Sequence, residues 1–136
     1  MNAWMKRLVG SMMVAGLVGT AGLAVAGPFD GSRPFLCGVT AIMECAASGE
    51  CERHVPDDVT APAILKFDVA GQTVTTGTAR KSALKSATRV DGQLILQGSE
   101  NGRGWSATVD EETGRMAVGL VDTDYTFSLF GACSLP

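Results

Sequence analysis

The sequence predicts a mainly β protein: a small, curved antiparallel meander or partial barrel of about six to seven strands, stapled by disulfides, with one short N-terminal helix. Three observations predict this class. Apolar and polar residues alternate with a period of two through most of the second half of the chain. Two-residue turn signals, Asp91-Gly92 and Asn101-Gly102, separate these runs. The four cysteines follow an export-type N-terminus, a combination typical of small disulfide-bonded domains.

The N-terminus has the features of a cleavable secretory signal peptide. Lys6 and Arg7 are basic, residues 8–18 are almost entirely apolar, and Ala24-Val25-Ala26 matches the small-x-small pattern of a cleavage site. We therefore expect residues 1–26 to be a signal peptide and residues 27–136 to form one mature domain. An uncleaved membrane anchor is the alternative, but glycines interrupt the apolar stretch and disfavour a stable spanning helix.

The first element of the mature domain is predicted to be a helix. Ser32 can cap it, and apolar residues recur at helical spacing between Phe35 and Ala46. Ser48-Gly49 would end it. This short helix is expected to plug one end of the curved sheet or to pack on one of its faces.

A run of strands follows, and each is bounded by residues that favour turns. Because the connections are short, consecutive strands are expected to pair as antiparallel neighbours. The predicted strands are 63–69, 73–78, 83–90, 93–99, 105–110, 115–121 and 125–133.

The cysteines Cys37, Cys45, Cys51 and Cys133 allow three disulfide pairings. If Cys37 and Cys45 share a helix, their Cα atoms lie about 12 Å apart, beyond the roughly 7 Å that a disulfide can span. We favour Cys45–Cys51 with Cys37–Cys133, which would staple a turn and close a loop of nearly the whole domain. The pairing of Cys37 with Cys51 and Cys45 with Cys133 remains the alternative.

Composition argues against several functional classes. Removing Lys6 and Arg7 with the signal peptide takes the formal net charge from −3 to −5, which disfavours nucleic acid and anionic membranes as partners. His54 is the single histidine, so we predict no catalytic residues and no cofactor.

Asp110, Glu111 and Glu112 are expected to solvate a hairpin turn. A metal or redox site formed by Cys45, Cys51 and His54 is kept as a minor alternative.

Large aromatic side chains fall on the predicted strands. In a closed or half-closed sheet they would either fill the core or line an apolar pocket for a small ligand. The candidate pocket residues are Trp105, Phe67, Phe127 and Tyr125.

Several short motifs resemble an uncharacterised family of small exported proteobacterial proteins with a four-cysteine framework. They are Pro28–Ser32, Cys37 with Glu44-Cys45 and Gly49-Glu50-Cys51, Gly104-Trp105-Ser106 with Asp110 and Thr113-Gly114, and Phe130–Cys133. The resemblance implies a Gram-negative, periplasmic or secreted setting and a four-cysteine framework, but no activity, cofactor or substrate.

The expected function is therefore that of an exported, non-enzymatic binding or accessory protein with a protein or small-molecule partner. The first alternative is a carrier of a small apolar ligand with a lipocalin-like half barrel. The second is the metal-handling or redox protein that would use Cys45, Cys51 and His54.

Overall fold

A computed structural model describes residues 22, 25–59 and 61–136, so the predicted signal peptide lies almost entirely outside the described residues. Within the described part of the chain, no helix is long and apolar enough to cross a membrane. The described residues form nine strands: β1 (Phe35–Ala46), β2 (Cys51–His54), β3 (Ile64–Asp68), β4 (Thr73–Thr76), β5 (Lys81–Val90), β6 (Gln93–Glu100), β7 (Arg103–Asp110), β8 (Arg115–Val121) and β9 (Tyr125–Ser134).

The strands form a closed antiparallel barrel. From β3 to β9 each strand pairs with the next along the chain, and β1 pairs with β3 on one side and with β9 on the other. Eight strands, β1 and β3–β9, therefore close the barrel, while β2 extends one end as a hairpin with the far half of β1. The predicted mainly β class is confirmed, and the curved sheet closes completely.

The predicted helix over Phe35–Ala46 is wrong, because this segment is the long strand β1. Its inward residues alternate strictly as far as Val39, and a β-bulge between Val39 and Ala41 then shifts the alternation by one residue. After the bulge, Ile42 is the next fully buried side chain. Two period-two runs offset by one residue reproduce the spacing of an amphipathic helix, which explains the wrong prediction.

The bulge also brings the backbones of β1 and β9 unusually close together. Gly131 of β9 faces this point, and a Cβ atom there would collide with the carbonyl oxygen of Gly38. The bulge in β1 therefore requires glycine on its partner strand.

The two disulfides join residues that face each other across strand pairs. Cys37 is bonded to Cys133 across the β1–β9 seam that closes the barrel, with a sequence separation of 96 residues. Cys45 is bonded to Cys51 across the β1–β2 hairpin. This is the pairing that the sequence favours. A Cys37–Cys45 bond remains excluded, but by strand geometry and not by helix geometry. Eight residues of extended strand separate the two Cα atoms by about 26 Å.

One end of the barrel is closed by the segment that precedes β1. Phe29 is buried there, with its ring edge-on to Phe35 at 6.0 Å between centroids, and its backbone N–H donates to the carbonyl oxygen of Glu111 at 3.0 Å. Arg89 forms a two-point ion pair with the buried Glu111 at the same end, and this carboxylate raises the pKa of Arg89 above its usual value.

Removing the seam disulfide should destabilise the protein more than removing the hairpin disulfide. In the chain-entropy model, Cys37→Ala/Cys133→Ala should lower the free energy of unfolding by about 4–5 kcal/mol and Cys45→Ala/Cys51→Ala by about 2 kcal/mol. Urea unfolding of both double variants beside the oxidised parent measures the difference. Equal losses would show that closure of the long loop does not dominate stability.

The bulge leads to different predictions for two nearby glycines, Gly38 of β1 and Gly131 of β9. Gly131→Ala should destabilise the protein by about 2–3 kcal/mol, because the new methyl group meets backbone that cannot move independently. Gly38→Ala is the matched control, since a Cβ atom there has no atom within 4 Å. Thermal unfolding of the two variants tests this, and similar melting temperatures would contradict the close approach.

Candidate functional site

The end of the barrel opposite Phe29 is open and leads into a cavity of about 560 Å³. Its wall is mainly aliphatic and aromatic, and polar side chains lie near the mouth. The apolar lining residues are Ile42, Val59, Ala61, Pro62, Leu65, Phe67, Val74, Trp105, Val118, Leu120, Phe127 and Leu129.

The cavity exists because the inward residues differ in size between the two ends. Large side chains such as Phe35, Leu94 and Leu96 fill the closed end and are completely buried. Toward the open end, the inner face of β5 carries Ser82 and that of β6 carries Gly98, which occupy little volume. Small inward residues leave the lumen of an eight-stranded barrel unfilled.

Trp105 forms part of the cavity wall, and its indole ring lies against Gly98. It is the direct cross-strand partner of Gly98, and a Cβ atom at Gly98 would collide with the indole ring. The glycine thus provides the space that the ring occupies, an arrangement that fixes an aromatic side chain over a strand glycine.

Three of the four predicted pocket aromatics line the cavity: Phe67, Trp105 and Phe127. Tyr125 does not, because it lies at the start of β9, beyond the mouth. Its side chain is 44% exposed and its ring lies 6.5 Å from that of Phe127. Sequence alternation identifies the face on which Tyr125 lies but not the point along the strand at which the lumen ends.

Charged side chains around the mouth are paired with one another. Arg80 lies 3.9 Å from Glu100, and the Nε of Arg103 donates to Asp122 at 3.1 Å. The guanidinium of Arg103 also lies 5.8 Å from the centroid of the Phe127 ring. These pairs balance the charge of the mouth without sealing it.

A second cluster of polar side chains, formed by His54, Glu44 and Glu52, lies on the β1–β2 hairpin beside the mouth. The Nε2 of His54 is 3.4 Å from a carboxylate oxygen of Glu44, which lines the cavity, and 3.7 Å from one of Glu52. The carboxylates of Glu44 and Glu52 extend from directly paired residues, so His54 lies between two acidic side chains.

The structure contradicts the proposed metal site of Cys45, Cys51 and His54. The two sulfur atoms are bonded to each other, so neither is available as a thiolate ligand. His54 is directed to Glu44, on the opposite face of β1 from Cys45. Within the ranges that the structure describes, no group of three or more His, Cys, Asp or Glu side chains is placed to hold a metal ion.

The acidic turn between β7 and β8 has structural roles that its sequence does not reveal. Asp110 accepts hydrogen bonds from the backbone N–H groups of Glu112 and Thr113, from the Thr113 hydroxyl and from Gln93. These bonds, that from the backbone of Thr113 first, lower the pKa of Asp110. Glu111 is only 6% exposed and pairs with Arg89, so it does not solvate the turn as expected.

One buried hydroxyl of the cavity wall was not singled out by the sequence. Ser82 lines the cavity from β5, and its Oγ is buried without a hydrogen-bond partner among the described residues. The period-two pattern places Ser82 on the same face as Leu84, but a serine on a strand gives no signal of its own.

Comparison with known proteins identifies no relative: no protein-family model, no curated protein and no solved structure matches the chain. The resemblance to exported proteobacterial proteins stays an expectation. The geometry of the cavity is therefore the basis for inferring a function.

The hydrogen bonds that Asp110 accepts in the β7–β8 turn predict that the free energy of unfolding falls at low pH. The folded-state pKa of Asp110 lies below its unfolded value of about 3.9, so its contribution is complete above that value and is lost as the pH falls through the folded pKa. Unfolding free energies measured between pH 5 and pH 2 should fall with pH, and the fall should be smaller for Asp110→Asn. Glu112→Gln, an exposed neighbour in the same turn, is the control and should follow the parent protein.

Proposed function

We propose that the domain is an exported, non-enzymatic binding protein that carries a small, largely apolar molecule inside its barrel. The observation that carries this proposal is the cavity of about 560 Å³ with an apolar wall and one open end. Its volume falls within the range of about 300–1,000 Å³ that is common for small-molecule sites.

The wall determines which ligands fit. An aliphatic and aromatic lining gains free energy by removing apolar ligand surface from water and offers little to a highly polar solute. The aromatic rings of Trp105 and Phe127 lie near the mouth, where they can contact a ligand on entry. A compact molecule that is mainly hydrocarbon matches this lining best.

The arrangement of charges favours binding over catalysis. Arg80 faces Glu100 and Arg103 faces Asp122, so each cation at the mouth already has an acidic partner. General acid–base catalysis requires a group that is positioned to exchange a proton with the substrate. The side chains deeper in the cavity are aliphatic, aromatic or hydroxyl-bearing.

The location proposed for the protein follows from its cysteines and its N-terminus. Two disulfides are consistent with an oxidising compartment. Together with the basic residues Lys6 and Arg7 and the Ala24–Ala26 site, they support export, and we place the mature domain in the periplasm or outside the cell. The ligand would then be a molecule encountered in that compartment.

The cavity should bind a neutral apolar fluorophore such as N-phenyl-1-naphthylamine. The probe should brighten with micromolar affinity and accept excitation energy from Trp105 in the full chain carrying Trp4→Phe, where Trp105 is the single remaining tryptophan. No fluorescence increase with folded protein would contradict the proposed function.

A pair of adjacent residues locates the bound probe. Leu120 lines the cavity, whereas Val121 lies on the opposite face of β8 and is exposed. Leu120→Trp should reduce affinity at least tenfold by filling the lumen, and Val121→Trp should change it less than about twofold. Equal effects of the two variants would place the probe outside the barrel.

A further inference from the structure

We propose that the outer face of the barrel around β8 and β9 binds a second copy of this protein, giving a weak dimer with two-fold symmetry. This inference goes beyond the proposed function and does not depend on any ligand. The contact would lie along the side of the barrel, so the mouth of the cavity would stay open in each copy.

The proposed surface, which we call the neutral face, consists of three cross-strand rows of outward residues on five adjacent strands, β6, β7, β8, β9 and β1. The residues that pair with its centre on β1 and β7, and the next ones on β6, also carry no charge. The centre is formed by the outward residues of β8 and β9: Ala117, Gly119, Val121, Thr126, Ser128 and Phe130.

The absence of charge from this face suits a second copy of an acidic protein. The formal net charge is −3, and −5 without Lys6 and Arg7. The opposite side of the barrel, at β4, does carry charge, since Thr75 lies between Lys66 and Lys81 in one row. A two-fold contact brings residues near its axis opposite their own copies, so a charge there would face its like. The neutral face avoids that repulsion.

The barrel itself does not require glycine at the centre of the neutral face. The φ of Gly119 does not lie in the left-handed region, and a Cβ atom there would have no atom within 4 Å. The same holds for Gly104, on the neighbouring strand β7. Glycine weakens a strand, and it commonly marks a point where a ligand or another backbone approaches closely. Both glycines face outward, so the approach would come from outside the barrel.

Phe130 provides an apolar contact that the single barrel leaves in water. Its side chain is 47% exposed, because its direct cross-strand partners, Ala41 and Ala117, are too small to cover the ring. The ring therefore stands above its surroundings, whereas Gly119 and Gly104 leave a hollow. In a two-fold contact each copy can place its ring against the hollow of the other, which removes apolar surface from water.

The size of the neutral face predicts a weak and reversible dimer. Five strands about 4.8 Å apart and three rows about 6.8 Å apart give a patch on the order of 500 Å². Two such patches would bury about 1,000 Å², which is near the lower limit for a specific interface. Hydroxyl groups such as those of Ser128 and Thr126 both donate and accept, so they can bond to their own copies. We expect a Kd of about 10–100 µM.

Sedimentation velocity tests the proposal with oxidised protein recovered from the periplasm of an expressing bacterium. Between about 2 µM and 500 µM the parent should change from monomer to dimer. Ser128→Glu places a carboxylate near the axis in each copy and should raise the Kd about tenfold or more. Thr75→Glu is the matched control, because it adds the same charge on the opposite side of the barrel. Its Kd should stay within about twofold of the parent value.

Two further measurements distinguish self-association through this face from a structural effect. Ser128→Lys alone should also dimerise weakly, but an equal mixture of Ser128→Glu and Ser128→Lys should associate at least as well as the parent, because opposite charges then meet. Gly119→Val should raise the Kd about tenfold without lowering the melting temperature, because its side chain meets no atom of the same barrel.

Three results would overturn the proposal. The first is a parent protein that is monomeric at every concentration. The second is association that Ser128→Glu and Thr75→Glu change equally, which would place the contact elsewhere. The third is a mixture of the two Ser128 variants that does not associate, which would show that the face does not pair with itself. Binding of N-phenyl-1-naphthylamine tests the cavity separately, so either proposal can fail while the other stands.

Discussion

The pairing of β1 with β9 is the contact on which the rest of the structure depends. Without it, the remaining strands form an open sheet with two exposed edges and no interior. The pairing extends from Leu36 opposite Ser134 to Ala46 opposite Tyr125, so it runs along almost the whole of both strands. The bond between Cys37 and Cys133 lies within this seam and makes the closure covalent. The buried face of each of the eight barrel strands, and hence the cavity, follows from that closure.

Closure of the barrel creates an interior, and the sizes of the inward side chains determine which part of it is filled. At one end, Phe29 and the ion pair of Arg89 with Glu111 seal a lumen that is already filled by large side chains. At the other end, the small residues Ser82 and Gly98 leave the lumen unfilled by side chains. A barrel optimised for stability alone would fill this space with apolar side chains, as far as packing allows. The unfilled end and its buried hydroxyl depart from that optimum, as sites that serve function commonly do.

The sequence predicted the parts of the fold that depend on local signals. Tight turns such as Asp91-Gly92 gave the hairpins between β3 and β9, and alternation gave the inward faces that carry Phe67, Trp105 and Phe127. β1 was misassigned because its bulge shifts the alternation. The closing pair could not be predicted from alternation, since its partners are separated by nearly the length of the domain; only the expected Cys37–Cys133 bond indicated it. Ser82 and Gly98 were not predicted as site residues, because the role of a small residue depends on the neighbours that the closed barrel places beside it.

The long-range seam also connects the cavity to the compartment in which the protein is proposed to act. β9 is the last strand of the chain, so β1 remains without its main partner until the entire domain is available for folding. Non-local strand pairing is slow because loop closure must precede the contacts that reward it. An oxidised Cys37–Cys133 pair maintains that closure once it has formed, and disulfides of this kind persist in oxidising compartments. If the chain is exported as proposed, the Cys37–Cys133 bond keeps the barrel closed in the compartment where the ligand is encountered.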